Sequence, residues 1–340
     1  MKAIVFHQPG GVDVLKYEDV DVPRLGSKEV LIQVKACALN HLDIWVRGGL
    51  GSLPMPHVLG SDVSGVIEDT GSEVLDLKKG EPILVSPGMS CGVCERCLQG
   101  KDNLCPKYTI LGKGIWGGYA QFVKVPRQNI LPYPKNLKFE EAACMPLTFL
   151  TAWQMLVEKA KVKLGDTVLV LAAGSGIGVA AIQIARLFGA TVIATASMDE
   201  KLQKAKELGA EHCINYAKED FLKEVKKITE GRGVDIVVEH TGAQTWEKSI
   251  LSAKWGGTIV TCGATSGDFG KTDLRHVYFR QLQILGSTMG SKGALFEIIR
   301  HIESGHLKPV LDEVLPLKEA ARAHQKMESR QQFGKIVLVP

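Results

Sequence analysis

Four cysteines within one short stretch are the residues whose spacing points most directly to chemistry. They follow the pattern C-x2-C-x2-C-x7-C, and they are Cys91, Cys94, Cys97 and Cys105. Four thiolates can surround Zn2+ tetrahedrally and close its coordination shell, so that such a metal stabilises a fold and activates no water. We therefore predict a structural zinc in a lobe at residues 90–106. An iron–sulfur cluster remains an alternative, although the last spacing is longer than in a ferredoxin motif.

A glycine-rich turn gives the second chemical signal. The short apolar run at residues 168–171 predicts a buried strand, an amphipathic helix follows to about residue 188, and a second strand is expected at 191–195. Between the first strand and the helix lie three glycines, Gly174, Gly176 and Gly178. Bare backbone N–H groups at a helix N-terminus suit a pyrophosphate, so we predict a dinucleotide site here. A tight turn without a ligand is the alternative interpretation.

Length and composition limit the remaining possibilities. A chain of 340 residues, 45% hydrophobic and 23% charged, is typical of a globular protein with two domains. The net charge of +4 is spread out, with no basic run among aromatic residues, which argues against nucleic acid as a partner. No window reaches the roughly 20 apolar residues of a membrane span, and the first residues do not read as a signal peptide. We expect a cytoplasmic protein with reduced cysteines, which disfavours disulfides.

Hydrophobic periodicity divides the chain into two kinds of structure. Short strands separated by Gly and Pro predict a mainly β first part, and strand–helix alternation predicts a doubly wound parallel sheet after about residue 150. The predicted strands are 1–6, 29–35, 63–68, 82–85, 168–171, 191–195, 212–215, 234–239, 258–262, 284–287 and 335–339; the predicted helices are 141–159, 177–188, 200–208, 221–229, 294–301 and 318–327. The last strand resembles those of the first half, so we expect the tail to rejoin that domain.

This order of a mainly β part, a four-cysteine lobe and a dinucleotide fold resembles the zinc-containing alcohol dehydrogenases, which are medium-chain dehydrogenases/reductases. The resemblance covers essentially the whole chain. It implies an α/β two-domain protein with a GroES-like, mainly β catalytic domain at 1–148 and 290–340. It also implies a Rossmann cofactor-binding domain at 149–289, a substrate cleft at the domain junction, and a homodimer or homotetramer.

The family's second, catalytic zinc is where the sequence departs from the pattern. Asn40 stands where a Cys ligand is expected, Ser61 replaces a His, and Leu147 falls on the second Cys position. An amide, a hydroxyl and an isobutyl group do not bind Zn2+ as thiolates and imidazole do. The proton-relay position falls on Leu42. The Asn-x-x-Asp segment ending at Asp43 is similar to the quinone oxidoreductase branch, which transfers hydride without a catalytic metal.

A different metal at this place is the competing hypothesis. Its candidate ligands are Cys37, His41, His57 and Asp62. Each also has an ordinary explanation. Cys37 alternates with polar residues on a strand and is expected in the core, as is Cys144. His57 follows Pro56 and is expected in a solvated loop.

The resemblance also assigns site residues. It implies a catalytic region with Asn40, Asp43 and Trp45, in which Asn40 either donates to the substrate oxygen or holds a turn, and Trp45 either lines the pocket or is core. The cofactor-binding residues that it implies are His41, Thr151, Gly174, Ser175, Gly176, Ile177, Gly178, Ser197, Lys201, Tyr216, Thr241, Gly242, Cys262, Gly263 and Ala264. The family's three fingerprint glycines fall on Ala173, Ser175 and Gly178, and we expect Gly174 and Gly176 to supply the flexibility.

The end of the second Rossmann strand bears on the choice of nicotinamide cofactor. In NAD-binding folds an acidic residue there accepts from the ribose hydroxyls, whereas here the position is Ala196. By resemblance, Ser197, Lys201 and Tyr216 suit the 2′-phosphate of NADP(H). Asp199, only three residues from Ala196, is the counter-argument; its alternative role is to cap the helix that begins at Glu200.

We therefore predict an NADPH-dependent oxidoreductase with one structural Zn2+ per subunit and a small-molecule substrate. The expected acceptor is a quinone, an α,β-unsaturated carbonyl or an activated ketone, because no metal polarises a simple carbonyl. Two alternatives remain open. One is an NAD(P)-dependent alcohol dehydrogenase or carbonyl reductase, and the other is a non-catalytic NADPH-binding protein like the lens crystallins of this fold.

Overall fold

The computed structural model describes residues Met1–Pro340 as two compact units. The first unit comprises Met1–Leu147, Ser291–Gly305 and Pro309–Pro340, and the second comprises Thr148–Gly290 and His306–Lys308. The strands are β1 (Lys2–Phe6), β2 (Lys16–Asp19), β3 (Glu29–Ala38), β4 (His57–Val58), β5 (Asp62–Thr70), β6 (Pro82–Val85), β7 (Gly88–Met89), β8 (Thr109–Ile110), β9 (Phe122–Pro126), β10 (Ile130–Pro132), β11 (Thr167–Val170), β12 (Thr191–Ala196), β13 (His212–Asn215), β14 (Val234–Glu239), β15 (Ala253–Thr261), β16 (Gln283–Gly286), β17 (Leu311–Pro316) and β18 (Lys335–Val339).

The helices are α1 (His41–Arg47), α2 (Glu95–Leu98), α3 (Phe139–Ala143), α4 (Pro146–Trp153), α5 (Gly176–Leu187), α6 (Asp199–Glu207), α7 (Phe221–Ile228), α8 (Trp246–Ser252), α9 (Leu274–Phe279), α10 (Lys292–Glu303) and α11 (Ala320–Glu328). Short 3-10 turns cover Val12–Val14, Asp102–Leu104, Arg127–Asn129 and Leu317–Glu319, and a π-helical segment covers Gln154–Lys159. No helix has the length and apolar character that crossing a membrane requires.

The first unit is built on a seven-stranded sheet in the order β10-β6-β5-β3-β18-β17, with β9 also paired to β3. Strand β3 is its centre, because β5, β9 and β18 all pair with it in antiparallel fashion. The alternating apolar side chains of these strands form one large buried cluster, to which β1 and α11 contribute. The C-terminal strand β18 thus belongs to the same sheet as the N-terminal strands.

The second unit is a six-stranded parallel sheet in the order β13-β12-β11-β14-β15-β16. Every strand except β16 and β13, at the edges, has a partner on both sides, and β14 is buried at all of its residues. Such apolar strands are typical of a sheet covered on both faces. The doubly wound sheet predicted from strand–helix alternation is confirmed, and the chain order reverses between β11 and β14, where ligands bind in such folds.

One predicted helix is wrong, and several elements of the structure were not predicted. The helix predicted at 141–159 is divided into α3, α4 and the π-helical segment. Pro146 explains the first break, because it cannot donate a backbone hydrogen bond to the preceding turn, and it begins α4 instead. Strand β17 was not predicted, because its Asp and Glu residues obscure the apolar pattern.

Candidate functional site

The four cysteines form a thiol cluster in the first unit. Their sulfur atoms all lie within 4.8 Å of one another. The Sγ–Sγ distances are 3.5 Å for Cys91–Cys105, 3.5 Å for Cys94–Cys97 and 3.9 Å for Cys91–Cys97. A tetrahedron with Zn–S bonds of about 2.3 Å has S–S edges of about 3.8 Å, so the residues present fit a structural zinc.

The local backbone favours metal binding by these sulfur atoms. Cys94 precedes the short helix α2, which carries Cys97, and a 3-10 turn leads into Cys105. The backbone N–H groups of Val93 and Cys94 lower the pKa of the Cys91 thiol to about 6. Donors of this kind favour the thiolate form, which is the form that binds zinc.

The positions of the expected catalytic zinc ligands hold a different arrangement. The carbonyl oxygen of the Asn40 side chain accepts from Lys335 Nζ at 2.6 Å, and its amide donates to Asp62 Oδ2 at 2.9 Å. The Ser61 hydroxyl donates to the Leu111 carbonyl at 2.7 Å. The backbone N–H of Leu147 donates to Asp62 Oδ1 at 2.8 Å. An ammonium group therefore lies against the one Asn40 atom that could bind a metal, so these residues do not fit a catalytic zinc.

Asp43 joins the two loops that carry Asn40 and Ser61. Its carboxylate accepts from the backbone N–H groups of Asn40 at 2.7 Å and Gly60 at 3.1 Å, and from the Tyr119 hydroxyl at 3.2 Å. Burial raises the pKa of Asp43 to about 6, against the lowering effect of these donors. Gly60 has a φ of +102°, and a Cβ there would lie 2.5 Å from the Tyr119 ring. The loop can therefore approach Tyr119 only with glycine at this position.

The ligands suggested for a non-standard metal do not come together. The only cluster of potential metal ligands is the four-cysteine group. The prediction that His57 is solvated is wrong, because its ring is fully buried in β4, edge-on to Phe6, and bonded to the Gly112 carbonyl. Asp62 is already paired with Lys335. Cys37 and Cys144 are buried, as predicted.

In the second unit, the turn after β11 has the features of a phosphate-binding turn. Ser175 is the N-cap of the 12-residue helix α5 and accepts from the Gly178 N–H at 2.9 Å. Gly176 and Ile177 follow at the partly exposed helix end, which presents N–H groups outward. A Cβ at Gly178 would lie 2.5 Å from the Ala172 carbonyl oxygen, so glycine is required for close packing of the turn.

The left-handed residue of this turn is neither of the two glycines expected to supply its flexibility. Neither Gly174 nor Gly176 has a positive φ, and the left-handed residue is Ala172, with a φ of 46°. The turn is therefore shaped by one strained alanine just after the strand, and Gly174 is buried within it.

The residues that bear on the choice between NAD(H) and NADP(H) lie next to one another at the end of β12. Ala196 pairs with Asn215, and the backbone N–H of Tyr216 donates to the Ala196 carbonyl at 3.1 Å. Ser197 is exposed just beyond the strand, and Lys201 lies in the first turns of α6. The alternative role of Asp199 as a helix cap is wrong, because Met198 is the N-cap of α6. Asp199 is inside α6, and its carboxylate accepts from Asn215 at 2.6 Å and from Lys218 at 2.5 Å.

The loop after β14 carries a residue that sequence reasoning missed. Glu239 is fully buried and accepts from the backbone N–H groups of Thr241 and Gly242 at 2.7 and 3.0 Å. Its carboxylate also accepts from the hydroxyls of Thr245 at 2.9 Å and Ser249 at 2.5 Å. The sequence predicts Glu239 only as the last residue of a strand, and an acid at the end of an apolar run is the signal that could have identified it.

The other predicted site residues are placed as follows. The Cys262–Ala264 loop continues to Ser266, whose N–H donates to the Thr241 carbonyl at 2.7 Å, so two predicted cofactor loops are joined. Thr151 is buried in α4. His41 and Trp45 lie in α1 with ring centroids 5.5 Å apart, and both are partly buried.

Lys335 was not predicted as a site residue, and its only signal is a charge at the start of the apolar strand KIVLV.

The parallel sheet with its glycine-rich turn, together with a β-rich unit that carries a four-thiolate lobe, defines a dinucleotide-dependent dehydrogenase of the zinc type. Residues 26–135 match the alcohol dehydrogenase GroES-like domain, and residues 176–304 match the zinc-binding dehydrogenase domain. The chain belongs to this family of medium-chain dehydrogenases/reductases, which are oxidoreductases.

Relatives from more than one branch of the family are similar over the full length. An NAD-dependent alcohol dehydrogenase of Sulfurisphaera tokodaii is 32% identical, with 96% of each chain covered. The quinone oxidoreductase of Rattus norvegicus is 29% identical over 100% of this chain and 98% of its own. A crystal structure of an NAD-dependent alcohol dehydrogenase superposes with a TM-score of 0.97 at 54% identity, with 100% of both chains covered.

Proposed function

We propose that this protein transfers hydride from NADPH to a quinone, an α,β-unsaturated carbonyl or an activated ketone without a catalytic metal. The observation that carries the proposal is the contact between Lys335 Nζ and the Asn40 side-chain oxygen at 2.6 Å. A buried cation at that atom repels a second cation, and the Ser61 hydroxyl is already used. The quinone oxidoreductase of Rattus norvegicus, which is similar over the whole chain, agrees with this class of acceptor.

Without a metal to polarise the carbonyl, the acceptor must itself stabilise developing negative charge. A conjugated carbonyl or quinone does so by delocalisation, whereas a simple aliphatic ketone depends on a Lewis acid. The dinucleotide, when bound, supplies the hydride. The chain's own residues then bind and orient. The end of α5 at Gly176–Ile177 offers N–H groups to the pyrophosphate, and the Thr241–Gly242 loop is held by Glu239.

Our proposal of NADPH over NADH rests on the end of β12. Ala196 places no carboxylate beside the ribose, and the charge of Asp199 is compensated by Lys218 at 2.5 Å. The Ser197 hydroxyl, Lys201 and Tyr216 are the residues that we propose to bind the 2′-phosphate. Two of the relatives are named NAD-dependent alcohol dehydrogenases, which favours NADH instead. Kinetics with both cofactors decides between NADPH and NADH.

We also propose a cytoplasmic homodimer or homotetramer. Four of the eight cysteines form a cluster suited to zinc, and cysteines used in this way are typical of a reducing compartment. Strand β16 pairs only with β15, and near this open edge Trp255, Tyr278 and Phe279 are more than half exposed. An open strand edge with exposed aromatic residues favours self-association. Sedimentation analysis that finds only monomers at micromolar concentration would contradict this part of the proposal.

The test is a screen of acceptors with NADPH and with NADH, followed by absorbance at the nicotinamide band. We expect kcat/KM for quinones and enones to be at least tenfold higher with NADPH than with NADH. Oxidation of simple alcohols with either oxidised cofactor would favour the alcohol dehydrogenase alternative, for which two relatives are named. Dinucleotide binding with no turnover of any acceptor would favour a non-catalytic protein. Either result would overturn the proposal.

A further inference from the structure

We infer that Asp62 and Lys335 are positioning residues whose buried ion pair joins the chain segments that a catalytic metal would otherwise hold together. The inference rests on the proposed metal-free function and names the residues that replace the metal's structural contribution. It is carried by the geometry of one carboxylate and one ammonium group in the first unit.

The Asp62 carboxylate is the meeting point of three distant segments. Its Oδ1 accepts from the backbone N–H of Leu147, 85 residues away in the sequence. Its Oδ2 accepts from the Asn40 side chain, 22 residues away, and from Lys335, 273 residues away. Asn40 and Leu147 are two of the three positions at which the family pattern expects a metal ligand, and Asp62 directly follows the third, Ser61. One side chain thus hydrogen-bonds to two of the three ligand positions and belongs to the residue next to the third.

Lys335 completes the arrangement from the sheet. It is the first residue of β18, only 3% exposed, and its Nζ lies 2.9 Å from Asp62 Oδ2 and 2.6 Å from the Asn40 side-chain oxygen. The three side chains form a closed set of hydrogen bonds. Because Lys335 can only donate and Asp62 can only accept, the Asn40 amide is held in one of its two flipped orientations.

The charges around the pair make each member dependent on the other. The titratable groups that face it are the Tyr119 hydroxyl, the Asp43 carboxylate and the thiols of Cys37 and Cys144; burial raises the pKa of each, and Lys335 partly opposes the rise at Asp43 and the two thiols. Burial raises the pKa values of both thiols, so they stay uncharged at neutral pH. Asp62 and Lys335 are both buried, with 0% and 3% of their surfaces exposed, so each neutralises the charge of the other where bulk solvent does not screen it. Loss of either partner leaves an uncompensated buried charge, which is strongly destabilising, whereas loss of both together is much better tolerated.

The test is a double-mutant cycle with Lys335→Met, Asp62→Asn and the double variant. The matched control is Lys79→Met, because Lys79 pairs with Glu68 on the same strand β5 as Asp62, but at the surface, with 71% and 34% of the side chains exposed. We expect each single buried change to lower Tm by about 10 °C, and the double variant to lose far less than the sum. The control should stay within about 1 °C of the wild type. Additive losses, or a Lys335→Met protein as stable as the control, would overturn the crosslinking role.

Kinetics separate positioning from stability. At a temperature where every variant is folded, we expect both single variants to lose at least tenfold in kcat with a quinone or enone. KM for NADPH should stay within about twofold, because the dinucleotide turn lies in the second unit. The double variant should recover Tm but not kcat, since its Asn40 amide is no longer oriented. Recovery of kcat together with Tm would show a merely structural pair and contradict the inference. The Tm cycle does not depend on turnover, so a wild type that reduces no acceptor would refute the proposed function and leave the crosslink test intact.

Discussion

The hydroxyl of Tyr119 lies 3.2 Å from Oδ2 of Asp43, and both side chains are almost completely excluded from solvent. The same hydroxyl contacts Nε2 of His324 at 3.3 Å, and His324 Nδ1 contacts the Arg47 guanidinium at 3.0 Å. Arg47 donates, so His324 must accept at Nδ1 and donate from Nε2 to the Tyr119 oxygen. Tyr119 then donates to Asp43. The hydrogen bonds from Arg47 through His324 and Tyr119 thus all point toward the Asp43 carboxylate, which holds the Asn40 and Gly60 loops.

The first prediction concerns His324 and acid stability. Burial, and then the charge of Arg47, lower the pKa of His324 to about 3. The unfolded chain therefore binds more protons between pH 6.5 and 3, and the free energy of unfolding falls as the pH is lowered through that range. His324→Gln keeps one acceptor and one donor without the titration. Relative to this variant, the wild type should lose about 2 kcal/mol between pH 7 and 5 by urea unfolding.

The raised pKa of Asp43 acts in the opposite direction, because it favours the folded state at low pH and this contribution is lost as the pH rises through about 6. It is present in both proteins, so the comparison isolates His324. His7→Gln, a change at an exposed histidine, is the control and should follow the wild type. A difference between wild type and His324→Gln that does not change with pH would refute the assignment of a neutral buried His324.

The second prediction concerns Glu239 and the cofactor loop. Glu239→Gln replaces one acceptor oxygen with a donor, so part of the set formed by Thr241, Gly242 and Ser249 loses its partner. We expect the Kd for NADPH to rise about tenfold, measured by quenching of intrinsic fluorescence. Glu247→Gln on the exposed side of α8 is the matched control and should bind normally. Unchanged affinity in Glu239→Gln would show that the loop does not depend on this carboxylate.

The third prediction concerns the four-cysteine lobe. Cys97→Ser should lower the zinc content from one per chain to near zero and lower Tm by at least about 5 °C, because structural zinc contributes folding free energy. Cys213→Ser, in the second unit and outside the cluster, should retain its zinc. Metal analysis and calorimetry measure both effects. Full zinc content in Cys97→Ser would contradict the tetrathiolate assignment.

The fourth prediction concerns Ala196 at the end of β12. Ala196→Asp places a carboxylate where it repels a 2′-phosphate and can accept from ribose hydroxyls, so the ratio of kcat/KM for NADPH to that for NADH should fall at least tenfold. Thr191→Asp adds the same charge at the other end of the same strand and should leave the ratio unchanged. If Ala196→Asp leaves the ratio of kcat/KM for NADPH to that for NADH unaltered, residue 196 does not determine the choice of cofactor.

The sequence predicted those elements whose own residues determine them. Strands β6, β13, β14 and β18 have the predicted limits, because each is a short run next to turn residues, and all but β13 are mainly apolar. His57 was misplaced because a preceding proline suggests a loop, whereas pairing of β4 with β1 decides its burial. Such pairing joins residues far apart in the chain, and local patterns do not contain it.

Only those parts of the candidate site that lie close together in the sequence could be predicted from it. The four-cysteine spacing and the glycine-rich turn each lie within one short segment, so both could be recognised. The partner of Lys335 lies 273 residues away, and the acceptor role of Glu239 depends on how its own loop closes. The loss of the metal ligands could be predicted from single positions in the sequence. The ion pair between Asp62 and Lys335 could not, because only the folded sheet brings these two residues together.

The central claim is that hydride transfer here needs no catalytic metal, and metal content measured together with activity tests it most directly. The purified wild-type protein should contain one zinc per chain by inductively coupled plasma mass spectrometry while it reduces a quinone or enone with NADPH. Cys97→Ser, at a temperature where it stays folded, should retain activity with almost no metal. Two metal ions per chain, with activity lost in parallel with the second ion, would contradict the account.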